Sequence, residues 1–163
     1  MDICKDRKKC CCFTGHRTLL NYDELKIKVY NTLVKLVDDG YTDFYAGGAI
    51  GWDTLCAQAV IALRDKEHKP IALHLVLPCP KEAQTSKWTT EQIQLYDMIL
   101  SKADSVEIMS RSYSRECMKV RNQRLIDDTD LCLCYYNDTR YATGTGQTVR
   151  MAERKGMDII NLF

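Results

Sequence analysis

Residues 42–53 read TDFYAGGAIGWD, and this stretch decides the fold. Thr42–Ala46 is a short β-prone run, which predicts a strand. Three glycines in five residues follow it, and Asp53 is then expected to cap a helix that runs to about Lys66. The stretch therefore predicts a strand, a glycine-rich turn and a helix in direct succession.

The same succession of strand and helix continues on both sides of this stretch. Further strands are predicted at Cys10–Thr14, Ile71–Leu77, Ser105–Met109, Leu131–Tyr136 and Asp158–Leu162. Further helices are predicted at Tyr22–Asp39, Thr90–Lys102, Ser114–Asp128 and Gln147–Lys155, with a loop over Asn137–Thr143. The strands are apolar throughout, which is typical of a parallel sheet covered on both faces. The prediction is an α/β fold, a Rossmann-like three-layer sandwich with a mostly parallel sheet of about six strands.

Composition excludes several classes of protein. The 163 residues suit a single domain over 1–163, with residues 1–9 as a flexible or edge N-terminus. The net charge of +1 argues against a large basic surface for duplex nucleic acid, although it allows a local patch. No apolar run approaches the roughly 18 residues of a membrane span. Nine cysteines, an odd number with three in a row, predict reduced core thiols and a cytoplasmic location, with no metal site and no cofactor.

Ligands of such sheets bind outside the carboxyl ends of the strands, where the strand order reverses. The loop after the first strand contains Gly15, His16 and Arg17. A glycine there lets the main chain approach a ligand, and Arg17 can bind a phosphate or a carboxylate. His16 could hydrogen-bond a ligand or act as an acid–base group. The alternatives are a solvated arginine and an ordinary loop histidine.

Two glycine-rich loops lead into helix N-termini, where main-chain amides can bind an anion. Their candidate ligand-binding residues are Gly47, Gly48, Gly51 and Asp53 in the first, and Gly144, Thr145, Gly146 and Thr148 in the second. A pair of such loops suits a ligand with several phosphates, or with a phosphate and a ribose. A β-branched residue at Gly48 is then expected to abolish binding and leave the fold intact. The alternative for the first loop is a turn that serves only tight packing.

Four other side chains could reach the same edge of the sheet. Trp88 and Tyr136 could stack on a base or pack internally, and Arg121 and Asn122 could reach the pocket or bond to a neighbouring loop. The dinucleotide fingerprint GxGxxG and the phosphate-loop motif GxxxxGK[ST] are both absent from the sequence. A dehydrogenase or an NTPase is therefore not indicated.

The motifs together resemble a known family. They are FTGHR at 13–17, GGAxGxD at 47–53, Pro78 with Gln84 and Trp88, Ala103-Asp104, Arg121-Asn122 and GTGQTVRMAE from Gly144. In this order they resemble the YpsA-like branch of the SLOG superfamily over about residues 10–163. That superfamily also includes the DNA-processing protein DprA/Smf and the LOG-type phosphoribohydrolases. The resemblance implies a Rossmann-like fold and a pocket for a nucleotide or nucleotide-derived ligand, and it adds Gln84 to the candidate binding residues.

One departure from the LOG pattern bears on the reaction. LOG-type hydrolases carry a glutamate in a PGGxGTxxE segment, whereas residues 143–150 here contain no acid, and Glu153 lies about two helical turns farther on. We therefore expect a sensor or carrier of an ADP-ribose-like small molecule, with no membrane partner and with scope for a homodimer. The alternatives are a nucleotide N-glycosidic hydrolase using Asp53, Glu82 or Asp104, and DprA-like binding of single-stranded DNA, which the near-zero charge disfavours.

Overall fold

The computed structural model describes residues 8–137 and 143–163. Of the N-terminal residues 1–9 that were expected to be flexible or at an edge, residues 1–7 lie outside the described part of the chain, as do the loop residues 138–142. Twelve helices and strands alternate over the described part of the chain: β1 Lys9–Gly15, α1 Tyr22–Asp38, β2 Tyr41–Ala46, α2 Trp52–Lys66, β3 Ala72–Leu77, α3 Lys81–Gln84, α4 Thr90–Lys102, β4 Ser105–Ile108, α5 Arg115–Asp127, β5 Leu131–Tyr135, α6 Gly144–Lys155 and β6 Asp158–Asn161.

The six strands form one sheet in the order β4-β3-β2-β1-β5-β6, and every neighbouring pair is parallel. The predicted Rossmann-like arrangement is confirmed. The chain fills one half of the sheet from β1 outward to β4, and then returns to place β5 on the other side of β1. The strand order therefore reverses between β1 and β5, and a crevice opens outside their carboxyl ends.

Helices cover both faces of the sheet. Apolar side chains of α1, α2 and α4 form one buried cluster with Phe13, Phe44 and Leu133. Those of α5 and α6 form a second cluster on the opposite face with Cys12 and Cys132. The two clusters make the three-layer sandwich, and they explain why the inner strands are largely apolar, whereas the edge strand β4 is exposed along its length.

Cysteine serves as a small apolar residue in both clusters. The described cysteines are free thiols, and all except Cys10 are buried. Cys11 lies in one cluster and Cys12 in the other, because successive strand residues point to opposite faces. Within residues 8–137 and 143–163, no group of three or more His, Cys, Asp or Glu side chains is placed to hold a metal ion. No helix in the same residues combines the length and the apolar character needed to cross a bilayer.

Three details differ from the sequence expectation. Lys9 already belongs to β1, so the N-terminal extension ends before it. The short helix α3, which begins after Pro80, was not predicted, because the segment Pro78-Cys79-Pro80 indicates only a turn. The N-cap of α2 is Gly51 rather than Asp53, which lies in the first turn of the helix and is buried.

Candidate functional site

A cleft of about 410 Å³ lies at the crevice outside β1 and β5. The loop after β1 forms one wall with His16 and Arg17, and the start of α6 forms another with Gly144 and Thr145. A face of α5 closes the third side. The two glycine-rich loops therefore meet at one edge of the sheet, as the parallel topology requires.

Arg121 fixes the first glycine loop from below the cleft. The side chain is only 5% exposed, and its guanidinium donates hydrogen bonds to the carbonyl oxygen of Gly47 and, over 2.8 Å, to Oδ1 of Asn122. A Cβ atom at Gly47 would lie 2.5 Å from the Arg121 guanidinium and 3.0 Å from Oδ2 of Asp53. Position 47 must therefore be glycine because two charged side chains of the protein pack against it.

Asp53 is the acidic group of this arrangement and is 6% exposed. Its Oδ2 accepts a hydrogen bond of 3.2 Å from the main-chain N–H of Ala49. Burial raises the pKa of Asp53 from 3.8 to about 6, against the opposing effects of Arg121, the Ala49 amide and Arg17. Burial likewise lowers the pKa of Arg121, and Asp53 opposes that shift. Each of these two buried charges therefore stabilises the charged form of the other.

The first loop is not an open cradle of main-chain amides, which corrects the sequence expectation. The Ala49 amide is taken by Asp53, and Arg121 and Asp53 cover Gly47. Gln84, which the resemblance placed among ligand-binding residues, donates from Nε2 to the Gly48 carbonyl over 3.1 Å. The close approaches that the glycines permit are made by the protein itself, through side chains at Gly47 and Gly48 and through the Arg17 main chain at Gly51.

Replacing Gly48 by valine is expected to lower the free energy of unfolding by about 2 kcal/mol, so the substitution has a cost in stability besides any effect on binding. Gly48 has a φ of +75°, and a Cβ there would lie 2.4 Å from Cδ2 of the buried Leu77. Urea denaturation measures the change. Gly144→Ala is the matched control, because nothing lies within 4 Å of its Cβ position, and it should stay within about 0.5 kcal/mol of wild type. Equal stability of the two variants would contradict this reading of Gly48.

The second glycine loop is more open than the first. Thr143 caps α6, with its hydroxyl oxygen accepting 3.0 Å from the N–H of Gly146, while Gly144 is exposed and Thr145 lines the cleft. The first amides of a helix have no partner within it, and Gly144 and Thr145, the first two residues of α6, line the cleft. Thr148 was wrongly expected to supply a hydroxyl, because it is fully buried and donates to the Gly144 carbonyl.

His16 lies between the two loops as a neutral imidazole. Its Nε2 accepts a hydrogen bond of 2.9 Å from the N–H of Asn137, so the ring proton is on Nδ1. Burial lowers the pKa of His16 below its ordinary value. The rings of Tyr135 and Tyr136 lie 6.1 and 5.8 Å away, centroid to centroid. Tyr136 does not line the cleft, and its hydroxyl lies 2.9 Å from where a Cβ at Gly146 would be.

A second hollow of about 820 Å³ adjoins the cleft and shares Arg17, Ala49 and Met118 with it. It lies outside β3 and contains Gln84 and Trp88. The Trp88 ring packs edge to face on Tyr96, with centroids 5.4 Å apart. Of the predicted residues, the structure therefore brings Gly15, His16, Arg17, Asp53, Arg121, Asn122, Gly144 and Thr145 to the cleft, and Gln84 and Trp88 to the hollow beside it.

The chain matches a known protein family over almost its whole length. The YpsA model, described as the YspA SLOG family, matches residues 11–162. The chain belongs to this SLOG family. Among its curated relatives, a UPF0398 protein of Bacillus cereus strain ATCC 14579 is 28% identical over 134 residues, which cover 81% of this chain and 71% of the relative. A UPF0398 protein of Bacillus pumilus is 30% identical over 115 residues, which cover 69% of this chain and 60% of the relative.

Among solved structures, DNA processing protein A of Helicobacter pylori has the same fold. That solved structure concerns the single-stranded DNA binding mode of DNA processing protein A. The TM-score is 0.67 at 15% identity, and the match covers 96% of this chain but only 66% of the other. At this identity the likeness concerns the SLOG fold alone.

Some residues of the family motifs in this SLOG chain line the cleft, and others lie behind it. Arg17 and the start of α6 face the cleft, whereas Gly47, Gly48, Gly51, Tyr136, Gly146 and Thr148 do not line it. Of the three carboxylates considered for hydrolysis, only Asp53 lines the cleft. Asp104 instead accepts hydrogen bonds from Arg64 and from the Leu73 amide.

The sequence indicated Arg121 and Asn122 of α5 as cleft residues, but not the other α5 side chains that line the SLOG cleft. Arg115, Met118 and Lys119 line it together with Asn122 and Leu125. The signal was present, since these positions recur at the helical spacing of three and four residues and define one face of α5. As a result the cleft has four basic side chains, Arg17, Arg115, Lys119 and Arg121, and Asp53 is the one carboxylate among its described lining residues.

Proposed function

We propose that this cleft binds the phosphate-bearing part of a nucleotide or nucleotide-derived ligand. The observation that carries the proposal is the convergence of four basic side chains on a cleft that ends at the N-terminus of α6. Arginine and lysine side chains form strong charge-assisted hydrogen bonds to phosphate oxygens, and the helix dipole favours negative charge at the same place. The net charge of the whole chain is only +1, so the concentration of positive charge at the cleft is a local feature.

An ADP-ribose-like ligand held by a sensor or carrier is the more specific form of this proposal. The only described carboxylate at the cleft, Asp53, is buried and already accepts the Ala49 amide. This favours binding over hydrolysis, because an acid that cleaves an N-glycosidic bond must reach the ligand. Buried free thiols support a reducing cytoplasmic setting.

Mass spectrometry of the small molecules released from the purified, denatured protein tests the ligand class directly. A co-purifying adenine nucleotide or ADP-ribose is the expected result. Reconstitution by calorimetry with ADP-ribose then gives the affinity, and chromatography of the mixture detects turnover. The absence of both a co-purifying nucleotide and measurable ADP-ribose binding would overturn the proposal. Release of adenine from ADP-ribose would instead favour the hydrolase.

Arg17→Ala is expected to weaken ADP-ribose binding by about 1.5–3 kcal/mol, since it removes one charge-assisted contact. Arg17 is exposed and lines both the cleft and the hollow, so its loss should leave the fold unchanged. Calorimetry measures the affinity. Lys35→Ala removes the same charge from the exposed side of α1 and serves as the control. An affinity of Arg17→Ala equal to that of the control would place Arg17 outside the site.

Binding of single-stranded DNA is the second candidate. It is favoured by the structural neighbour, DNA processing protein A of Helicobacter pylori, which has a single-stranded DNA binding mode, and by the basic side chains of the cleft. Titration with an oligothymidylate at several salt concentrations tests it. The affinity should fall as salt rises, and each neutralised phosphate makes the slope of log affinity against log salt more negative by about 0.7. A flat salt dependence, or no binding at low salt, would exclude this candidate.

A further inference from the structure

We propose that the hollow beside the cleft is a nucleobase subsite, in which the base of the ligand stacks on Trp88 while its phosphate lies near Arg17. This inference rests on the proposed function of the cleft and specifies its substrate class. The ligand would carry a planar base linked to a phosphate, whether as a free nucleotide or as part of a single strand of DNA.

The shape of this edge suits a ligand in two parts. The hollow measures about 820 Å³ and the cleft about 410 Å³, and they share Arg17, Ala49 and Met118. A single ligand can therefore extend from one into the other past Arg17. Because Arg17 lines both, it is the residue best placed to bind a phosphate that joins the two parts.

The hollow is lined for stacking rather than for a second highly charged group. Trp88 is half-buried at its wall, and Tyr113, at the same hollow, is 64% exposed. Its charged lining residues are Arg17 and Lys87, and no described carboxylate lines it. Proteins that bind nucleic-acid bases without sequence preference combine aromatic side chains, on which the bases stack, with basic side chains that contact the phosphates.

The Trp88 ring is held in place before any ligand arrives. It packs at 85° against Tyr96, whose hydroxyl donates to Oε1 of Gln84 over 3.1 Å. Gln84 in turn donates from Nε2 to the carbonyl oxygen of Gly48. Burial raises the pKa of Tyr96 to about 12, so this hydroxyl remains a donor at neutral pH. The chain of contacts ties the stacking surface to the first glycine loop, and a ring that is already ordered loses little entropy on binding.

Tryptophan fluorescence of the full chain tests the inference, because the protein has only two tryptophans. Trp52 is fully buried and its Nε1 donates to the Leu133 carbonyl, whereas Trp88 lines the hollow. The Trp88→Phe variant, in which Trp52 is the remaining tryptophan, shows which of the two responds to a ligand. The probes are AMP and ribose 5-phosphate, which differ only by the adenine. We expect AMP to quench the emission and to bind about tenfold or more tightly than ribose 5-phosphate.

Three variants separate stacking from folding, with affinities measured by calorimetry. Trp88→Ala should remove most of the AMP advantage and leave the affinity for ribose 5-phosphate unchanged. Trp88→Phe should retain most of the advantage, because it keeps an aromatic face and the contact with Tyr96. Tyr113→Ala, at an exposed position, should reduce the AMP advantage without any cost to the fold.

The outcomes distinguish this inference from the function on which it rests. Equal affinities for AMP and ribose 5-phosphate would overturn the base subsite and leave the phosphate cleft in place. Failure of both probes to bind, together with no binding of an oligothymidylate, would overturn both proposals. Quenching by the oligothymidylate at concentrations where thymidine monophosphate has no effect would support the subsite and identify DNA as the source of the base.

Discussion

Replacing Arg121 by methionine is expected to lower the free energy of unfolding by about 3–5 kcal/mol at pH 8. Methionine keeps the apolar length of the side chain but removes the hydrogen bonds to the Gly47 carbonyl and to Asn122. It also leaves the buried Asp53 carboxylate without the cation that most lowers its pKa. A buried charge without its partner costs far more than a pair of uncharged side chains.

Urea denaturation at two pH values identifies the cause of this loss. Without Arg121, Asp53 can avoid its penalty by binding a proton, so the effect of Arg121→Met should be smaller at pH 5 than at pH 8. The double variant with Asp53→Asn should recover part of the loss at pH 8. Arg115→Met is the control, because Arg115 is on the same helix and lines the same cleft but is exposed, and it should change stability by less than about 0.5 kcal/mol. A loss below about 1 kcal/mol for Arg121→Met would contradict the role assigned to the guanidinium.

The sequence was sufficient for the fold class because most of its strands are apolar runs between turn residues. The run Ile71–Leu77, for example, corresponds to β3 at Ala72–Leu77. The helix α3 escaped prediction because it has only four residues and no apolar periodicity. Strand order could not be deduced either, since pairing of β1 with β5 joins residues about 120 positions apart.

The sequence indicated where the candidate site lies in the fold, but not which side chains hold its loops in place. A glycine in a sequence shows that something approaches the backbone closely, but not whether that partner is a ligand or the protein itself. At Gly47 the partner is Arg121, 74 residues away, and no local pattern indicates that contact. The error at Thr148 has a local cause. The sequence began the last helix at Gln147, whereas α6 begins at Gly144, so that Thr148 lies inside the helix and bonds to the carbonyl four residues back.

Raising the pH from about 4 to about 7 is expected to destabilise the wild type relative to Asp53→Asn by about 2 kcal/mol. The folded protein holds the Asp53 pKa at about 6, above its ordinary value of 3.8. Between these two values the folded state binds more protons than the unfolded state, so its stability falls as the pH rises. The contribution is complete below pH 3.8 and is lost once the pH exceeds about 6.

Asp53→Asn isolates this effect, because the amide oxygen of asparagine can still accept the Ala49 N–H while the side chain no longer titrates. The two proteins are compared by urea denaturation at intervals between pH 4 and pH 7, and the difference between their unfolding free energies is plotted against pH. If desolvation dominates the pKa of Asp53, the unfolding free energy of the wild type falls relative to that of Asp53→Asn as the pH rises. A carboxylate governed by the Arg121 charge would have a pKa below 3.8 and would give a flat difference over this range. A flat result would therefore show that Asp53 and Arg121 act as a fully compensated ion pair, and it would contradict the picture of two buried charges that only partly offset each other.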